Sequence, residues 1–322
     1  MNVFQRSVRF GLWAILCTFV VRLAPTGQLN WLKESKTAAF FASQETGQAV
    51  RFSVSSPGFF PDFMESPPPV IPEEEIPPLP VFSDPEGIQL YYGCHVDIDT
   101  RQLLTQPLTW DLFSAEPTVL ILHTHSTESY TKSGESYRET AQWRTLDANY
   151  NMLSIGSYLA QLLETAGIRV IRDETIHDYP SYNGSYVHAR QSIQKYLDAY
   201  PSIRLILDLH RDASGGSAGQ LRTAAEIAGE TAAQLMVVIG TNHPDFRENA
   251  SLGLKLHAQL EAEAPGITRP LQLRSQRFNQ DLSPGALLIE VGAAGNTHAE
   301  ALRAAQVLAR AVTALARGTR QG

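Results

Sequence analysis

Thr118-Val119-Leu120-Ile121-Leu122-His123-Thr124-His125 is an apolar run of strand length that ends in two histidines. Two later stretches are built the same way. Arg204–Leu209 (RLILDL) runs into His210-Arg211-Asp212, and Ala286–Ile289 (ALLI) runs into Glu290-Val291-Gly292. Short runs that are apolar on both faces are what strands covered on both sides require. Between them lie helical patterns. Asn149–Ala166 carries Met152, Ile155, Leu159, Leu162 and Leu163 on one face and stops at Gly167, while Val187–Tyr200 is closed by Pro201. Further strands are expected at Ile88–Tyr92, Ile168–Ile171 and Leu235–Gly240, and further helices at Leu252–Ala264 and Ala299–Ala316. Strands alternating with helices predict an α/β fold, a three-layer sandwich around a mostly parallel central sheet.

In an open α/β sheet, ligands bind beyond the carboxyl ends of the strands. Parallel strands would therefore deliver His125, His210 and Glu290 to one rim from distant parts of the chain. A lone histidine after a strand is usually an ordinary loop residue. A glutamate directly behind ALLI is less ordinary, because burying an ionised carboxylate costs several kcal/mol unless it is paired. Imidazoles and carboxylates converging in this way suit Zn²⁺ with one open position, and a nearby carboxylate can serve as the proton acceptor for an attacking water. His123 is a rival to His125, since residues two apart in an extended segment point the same way; its other expected role is a supporting hydrogen bond. Two carboxylates compete to complete the set: Glu128, if the loop after the strand turns back, and Asp147, just ahead of the Asn149–Ala166 helix. The chain has no helix-borne HExxH, no GxSxG elbow and no Walker-type loop, and neither Cys17 nor Cys94 has a catalytic setting.

The 322 residues leave room for one sizeable catalytic domain with appendages. A net charge of −7 with scattered Lys and Arg gives no reason to expect a nucleic-acid partner. Arg6 and Arg9 precede an uncharged apolar run, Phe10–Val21. That pattern predicts export, with the N-terminus in the cytoplasm and the body outside. An uncleaved membrane anchor over residues 1–32 is preferred to a cleaved signal peptide, with Arg22 snorkelling to the interface. Residues 33–85, rich in Ser, Pro and Glu from Gln44 onward, are expected to be an extended tether. The catalytic domain is then 86–322.

Four motifs carry a resemblance: Leu120–Tyr130 (LILHTHSTESY), Thr175–Tyr186 (TIHDYPSYNGSY), Leu207–Ala213 (LDLHRDA) and Phe278–Gly292 (FNQDLSPGALLIEVG). In order and content they resemble the stage II sporulation protein P family of cell-wall hydrolases, over roughly residues 86–317. The resemblance implies an N-acetylmuramoyl-L-alanine amidase using Zn²⁺, with endopeptidase activity on peptide cross-links also credited to the family. It further implies action on peptidoglycan during engulfment beside stage II sporulation proteins D and M, at the cell membrane with the catalytic domain extracytoplasmic. It is also similar to the zinc amidases with an Asp-Pro-Gly-His strand end, which implies His125 and His210 as metal ligands and Glu290 as the catalytic carboxylate. The position of their second ligand falls near Asp147. Here Leu122-His123-Thr124-His125 replaces their strand end, so Asp147 and Glu128 both stay open. Arg211 is expected to meet a stem-peptide carboxylate or a carboxylate within the site. The competing readings are a zinc endopeptidase or carboxypeptidase of the wall, and an inactive wall-binding scaffold.

Overall fold

The structure is a computed structural model, and it describes residues 81–83, 87–108, 110–131, 143–213, 215–216 and 219–321. The expected anchor and almost all of the expected tether lie outside the described residues. Among the described residues no helix is long and apolar enough to cross a membrane.

Eight strands form one sheet in the order β1 (Val81–Ser83), β2 (Gln89–Tyr92), β11 (Leu271–Arg274), β10 (Leu235–Gly240), β12 (Ala286–Ala293), β5 (Leu205–Asp212), β3 (Val119–Leu122) and β4 (Val170–Arg172). The pairings β2–β11, β10–β11, β12–β5, β3–β5 and β3–β4 are parallel, while β1–β2 and β10–β12 are antiparallel. The sheet is therefore mostly parallel, and β3, β5 and β12 share one direction and one carboxyl rim. Two short hairpins, β6 (Gly215–Gly216) with β7 (Gly219–Gln220) and β8 (Ala224–Ile227) with β9 (Glu230–Ala233), stand outside it.

Strand alternation divides the core. Val119 and Ile121 of β3, with Leu205, Leu207 and Leu209 of β5, face helices α2 (Met152–Thr165), α4 (Phe246–Glu263) and α5 (His298–Gln321). Leu120, Leu122 and Ile206 face α3 (Ser185–Ala199) through Ala189 and Ile193. The short helix α1 (Thr100–Thr105) is fastened to α4, where Ser251 Oγ and Lys255 Nζ both donate to the carbonyl of Leu103. Asn151 caps α2 by accepting from the amide of Leu153 at 3.0 Å.

The expected elements are present with altered ends. The helix expected from Leu252 begins at Phe246, and β5 and β12 extend past their apolar cores to Asp212 and Ala293. Helix α1, strand β11 and both hairpins carry too little periodicity to be read from sequence. Strand β1 falls within the stretch expected to be tether, because the edge of β2 offers its backbone groups a partner.

His123 does not share the orientation of His125. The strand ends at Leu122 and the chain turns, so the extended spacing that would align the two histidines is lost. His123 is buried in the core, its Nδ1 3.1 Å from the carbonyl of Leu209, and its Nε2 occupies the space that a Cβ on Gly156 of α2 would need. Burial holds its pKa down to about 4. Gly156→Ala is accordingly expected to cost about 1–3 kcal/mol in denaturant unfolding. Adding His123→Ala should make the combined loss smaller than the sum of the two single losses.

Candidate active site

The turn after β3 is assembled by hydrogen bonds rather than by apolar packing. The amide of Glu128 donates to the carbonyl of His125 at 3.1 Å, closing one turn and bringing the two side chains to the same side. Asp208 of β5 accepts from the Thr124 amide at 2.8 Å and from its hydroxyl at 2.6 Å. Asp178 accepts from the Thr127 amide at 3.1 Å and its hydroxyl at 2.6 Å. Ser126 Oγ lies between the carbonyls of His123 and Thr175, at 2.8 and 2.9 Å, with its one proton shared between them. A loop fixed at five consecutive residues, 124 to 128, has little freedom to re-aim His125 or Glu128.

Register brings the remaining groups. Glu290 of β12 is the cross-strand partner of His210 of β5. The rings of His125 and His210 meet edge to face with centroids 5.2 Å apart. His210 Nδ1 stands 3.7 Å from Glu128 Oε2, and its Nε2 stands 3.0 Å from Asp208 Oδ1. Beyond Glu290 the strand bulges. Gly292 adopts φ +71°, and a Cβ there would press on Ala233 and Asn296. Asn296 Oδ1 accepts from the amides of Ala293 and Thr223, so the end of β12 is pinned where Glu290 leaves it.

The electrostatics separate these groups. Burial takes the His125 pKa down to about 4, with Glu128 opposing and His210 and Arg144 assisting, so this ring is neutral at pH 7. For His210 burial also acts downward, but Asp208, Glu128 and Glu290 outweigh it and raise the pKa to about 9. Burial pushes the Glu290 carboxyl up to about 8 against the pull of His210. Glu128 is buried as well, yet Arg211, His210, His125 and Arg144 overcome that cost and lower its pKa. Glu290 Oε2 and His125 Nδ1 are sealed from solvent with no hydrogen-bond partner among the described residues.

Glu128, not Asp147, is the carboxylate brought to His125 and His210. Asp147 is exposed, and its Oδ1 accepts from the amide and side chain of Asn149, an Asx turn that leads into α2. His123 is turned into the core as described. Arg211, 3% exposed, faces inward. Its Nε donates to the carbonyl of Ser129 at 3.0 Å, its Nη2 to that of Trp143 at 2.9 Å, and its Nη1 lies 3.7 Å from Glu128 Oε1. Of the two expected partners for Arg211, a stem-peptide carboxylate and a carboxylate of the site, the geometry provides the second. Sequence reasoning gave no role to Arg144, Asp178 or Asp208, and Asp178, Tyr182 and Asp208 entered it only as members of the Thr175–Tyr186 and Leu207–Ala213 motifs. Asp208 had a signal, a carboxylate within the apolar run RLILDL. The others lie in loops without periodicity.

Zinc binds imidazole nitrogen and carboxylate oxygen at about 2.0–2.2 Å, which sets two tetrahedral ligands about 3.4 Å apart. Among the described residues no group of three donors is closed to coordination distances. The residues nevertheless fit the ion. His210 Nδ1 and Glu128 Oε2, at 3.7 Å, are beyond hydrogen-bond length and near that ligand spacing. His125 offers a buried nitrogen with no other use. The outer nitrogen of His210 meets a carboxylate, as metal-binding histidines commonly arrange.

Arg211→Met is expected to lower unfolding stability by about 3–5 kcal/mol, since it removes a buried cation from beside Glu128 and a donor from the carbonyls of Ser129 and Trp143. Arg211→Lys should recover only part of that, because one ammonium cannot serve three divergent acceptors. Urea midpoints of the two variants check this.

The family model for stage II sporulation protein P matches residues 79–313. Stage II sporulation protein P of Bacillus subtilis (strain 168) is 31% identical over 206 residues, covering 59% of this chain and 49% of that protein. The chain thus spans about half the length of that curated relative. Among solved structures, N-acetylmuramoyl-L-alanine amidase AmiC2 of Nostoc punctiforme is 11% identical with a TM-score of 0.39, covering 64% of this chain and 98% of that one. The N-acetylmuramoyl-L-alanine amidase from Clostridium difficile 630 is 16% identical with a TM-score of 0.38, covering 65% of this chain and 99% of that one. A metallo-carboxypeptidase from Burkholderia cenocepacia is 8% identical with a TM-score of 0.37, covering 64% of this chain and 58% of that one. Overlaps this weak assign no chemistry. The family match is of another order: it runs from the first described strand into the last helix and takes in every residue gathered at the rim, and on that ground the chain belongs to the stage II sporulation protein P family.

Proposed function

We propose that this protein is a zinc-dependent peptidoglycan hydrolase that cuts the amide between N-acetylmuramic acid and the L-Ala of the stem peptide during engulfment. The observation that carries the reading is the meeting of His125, Glu128 and His210 with Glu290 at one strand-end rim, with His125 Nδ1 and Glu290 Oε2 both unspent. In this reading residues 1–32 anchor the chain in the cell membrane and 33–85 tether an extracytoplasmic catalytic domain. Stage II sporulation proteins D and M are its partners in wall remodelling.

His125, Glu128 and His210 would hold the metal. When bound, zinc supplies a Lewis acid for the scissile carbonyl and lowers the pKa of water near it. Arg211 and Arg144 keep Glu128 ionised despite its burial. Asp208 stands 3.0 Å from Nε2 of His210 as an ion pair, and Nδ1 lies 3.7 Å from Glu128. Glu290 accepts a proton at Oε2 from the attacking water and passes it to the leaving amine. Its pKa is raised to about 8 because burial outweighs the pull of His210 and Arg211. A divalent charge beside it favours the ionised form and draws that value down, so the carboxylate is ready as a base at neutral pH.

The test incubates the full chain with purified sacculi, with and without a chelator. New L-Ala amino termini, lost on chelation and restored by zinc, are expected. Glu290→Gln should lower the rate by at least about 100-fold while the zinc content stays near one per chain. Glu128→Gln should lose the metal, and Asp147→Asn should keep both metal and activity. Release of other amino termini would replace the amidase by an endopeptidase. Wall binding without any release would leave a scaffold.

A further inference from the structure

The outer nitrogens of the two imidazoles of the site face unlike partners. For His210 that partner is the buried carboxylate of Asp208, 3.0 Å from Nε2. For His125 it is the hydroxyl of Tyr182, 3.1 Å from Nε2. Tyr182 is 52% exposed, yet it is not a loose surface side chain. Its ring stacks on the His125 imidazole with centroids 4.5 Å apart and planes 14° apart. The guanidinium of Arg144 sits 4.5 Å from the same ring centroid, and Arg144 is itself held by Asp178 at 2.7 Å. The loop that carries Tyr182 is thus fastened to the turn that carries His125 and Glu128, since Asp178 also binds Thr127.

A neutral imidazole bears one proton, and only its bare nitrogen can hold a cation. The inner nitrogen, Nδ1, is sealed from solvent and has no partner among the described residues. The hydroxyl of Tyr182 is the hydrogen-bond partner this ring has among the described residues, and it meets the outer nitrogen. We propose that Tyr182 is a positioning residue for the metal site: its hydroxyl oxygen accepts the Nε2 proton of His125, which fixes the ring plane and leaves the Nδ1 lone pair facing Glu128 and His210. The inference rests on reading this site as a zinc centre. Tyr182 touches no reacting atom in this role, and its effect passes through His125.

The experiment measures zinc affinity of the full chain in detergent by competition with a chromophoric chelator, for wild type and Tyr182→Phe. The phenylalanine keeps the ring stack and removes only the oxygen. A 10–100-fold weaker zinc affinity is expected, the range seen when an outer partner of a metal ligand is lost, with an unchanged melting temperature of the metal-free protein. Imidazole ¹⁵N shifts of the metal-free wild type give a second readout and should show the proton of His125 on Nε2. Zinc bound within twofold of wild type by Tyr182→Phe, or a proton found on Nδ1 in the wild type, overturns the role of Tyr182 and leaves the zinc centre standing. Failure of the wild type itself to bind zinc removes both.

Discussion

The carboxylate of Asp208 is the contact on which the rest of the site depends. It lies inside the apolar body of β5, where an unpartnered charge would cost several kcal/mol. It is instead met by the Thr124 amide, the Thr124 hydroxyl and the ring of His210. Burial pushes its pKa up, but His210 and the bonds from Thr124 more than offset this and the net shift is down. One oxygen pair therefore joins the end of β3 to the end of β5. Because His125 and Glu128 follow Thr124 within a single turn, fixing Thr124 fixes them relative to His210.

Charge is distributed around this contact in a telling way. Two arginines, Arg144 and Arg211, face Glu128, and Asp178 answers Arg144. On the other side, His210 is raised to about 9 and Glu290 to about 8. Arg211 takes part as a buried brace, joining the carbonyls of Ser129 and Trp143 to the carboxylate of Glu128.

The fold was largely legible from the chain. TVLIL, RLILDL and ALLI are apolar enough to be read as doubly covered strands, and Met152, Ile155, Leu159 and Leu163 mark the helix face that covers one side. What escaped was local and polar. Helix α1 is a single capped turn and a half, β11 is a four-residue strand of alternating burial, and the hairpins are made of Gly and Ala. None has a period long enough to stand out against its neighbours. In the site, His125, His210 and Glu290 were visible because each follows an apolar run. Arg144 was not, and Asp178 and Tyr182 were visible only as members of the Thr175–Tyr186 motif, because loop residues announce their roles only by what they touch.

By itself the sequence determined the α/β architecture and the rim, since both follow from apolar periodicity and from the rule that parallel strands expose their carboxyl ends together. It favoured His125 with His123 as the rival, and Asp147 slightly ahead of Glu128. Tertiary structure separated both pairs, and in each case the reason was a turn. The chain bends after Leu122, which sends His123 against Gly156 and swings Glu128 back beside His125, while Asp147 closes on Asn149 and stays in solvent. Turn closure depends on hydrogen-bond partners such as Asp208 and Asp178 that lie 51 to 84 residues away along the chain, beyond the reach of any local pattern.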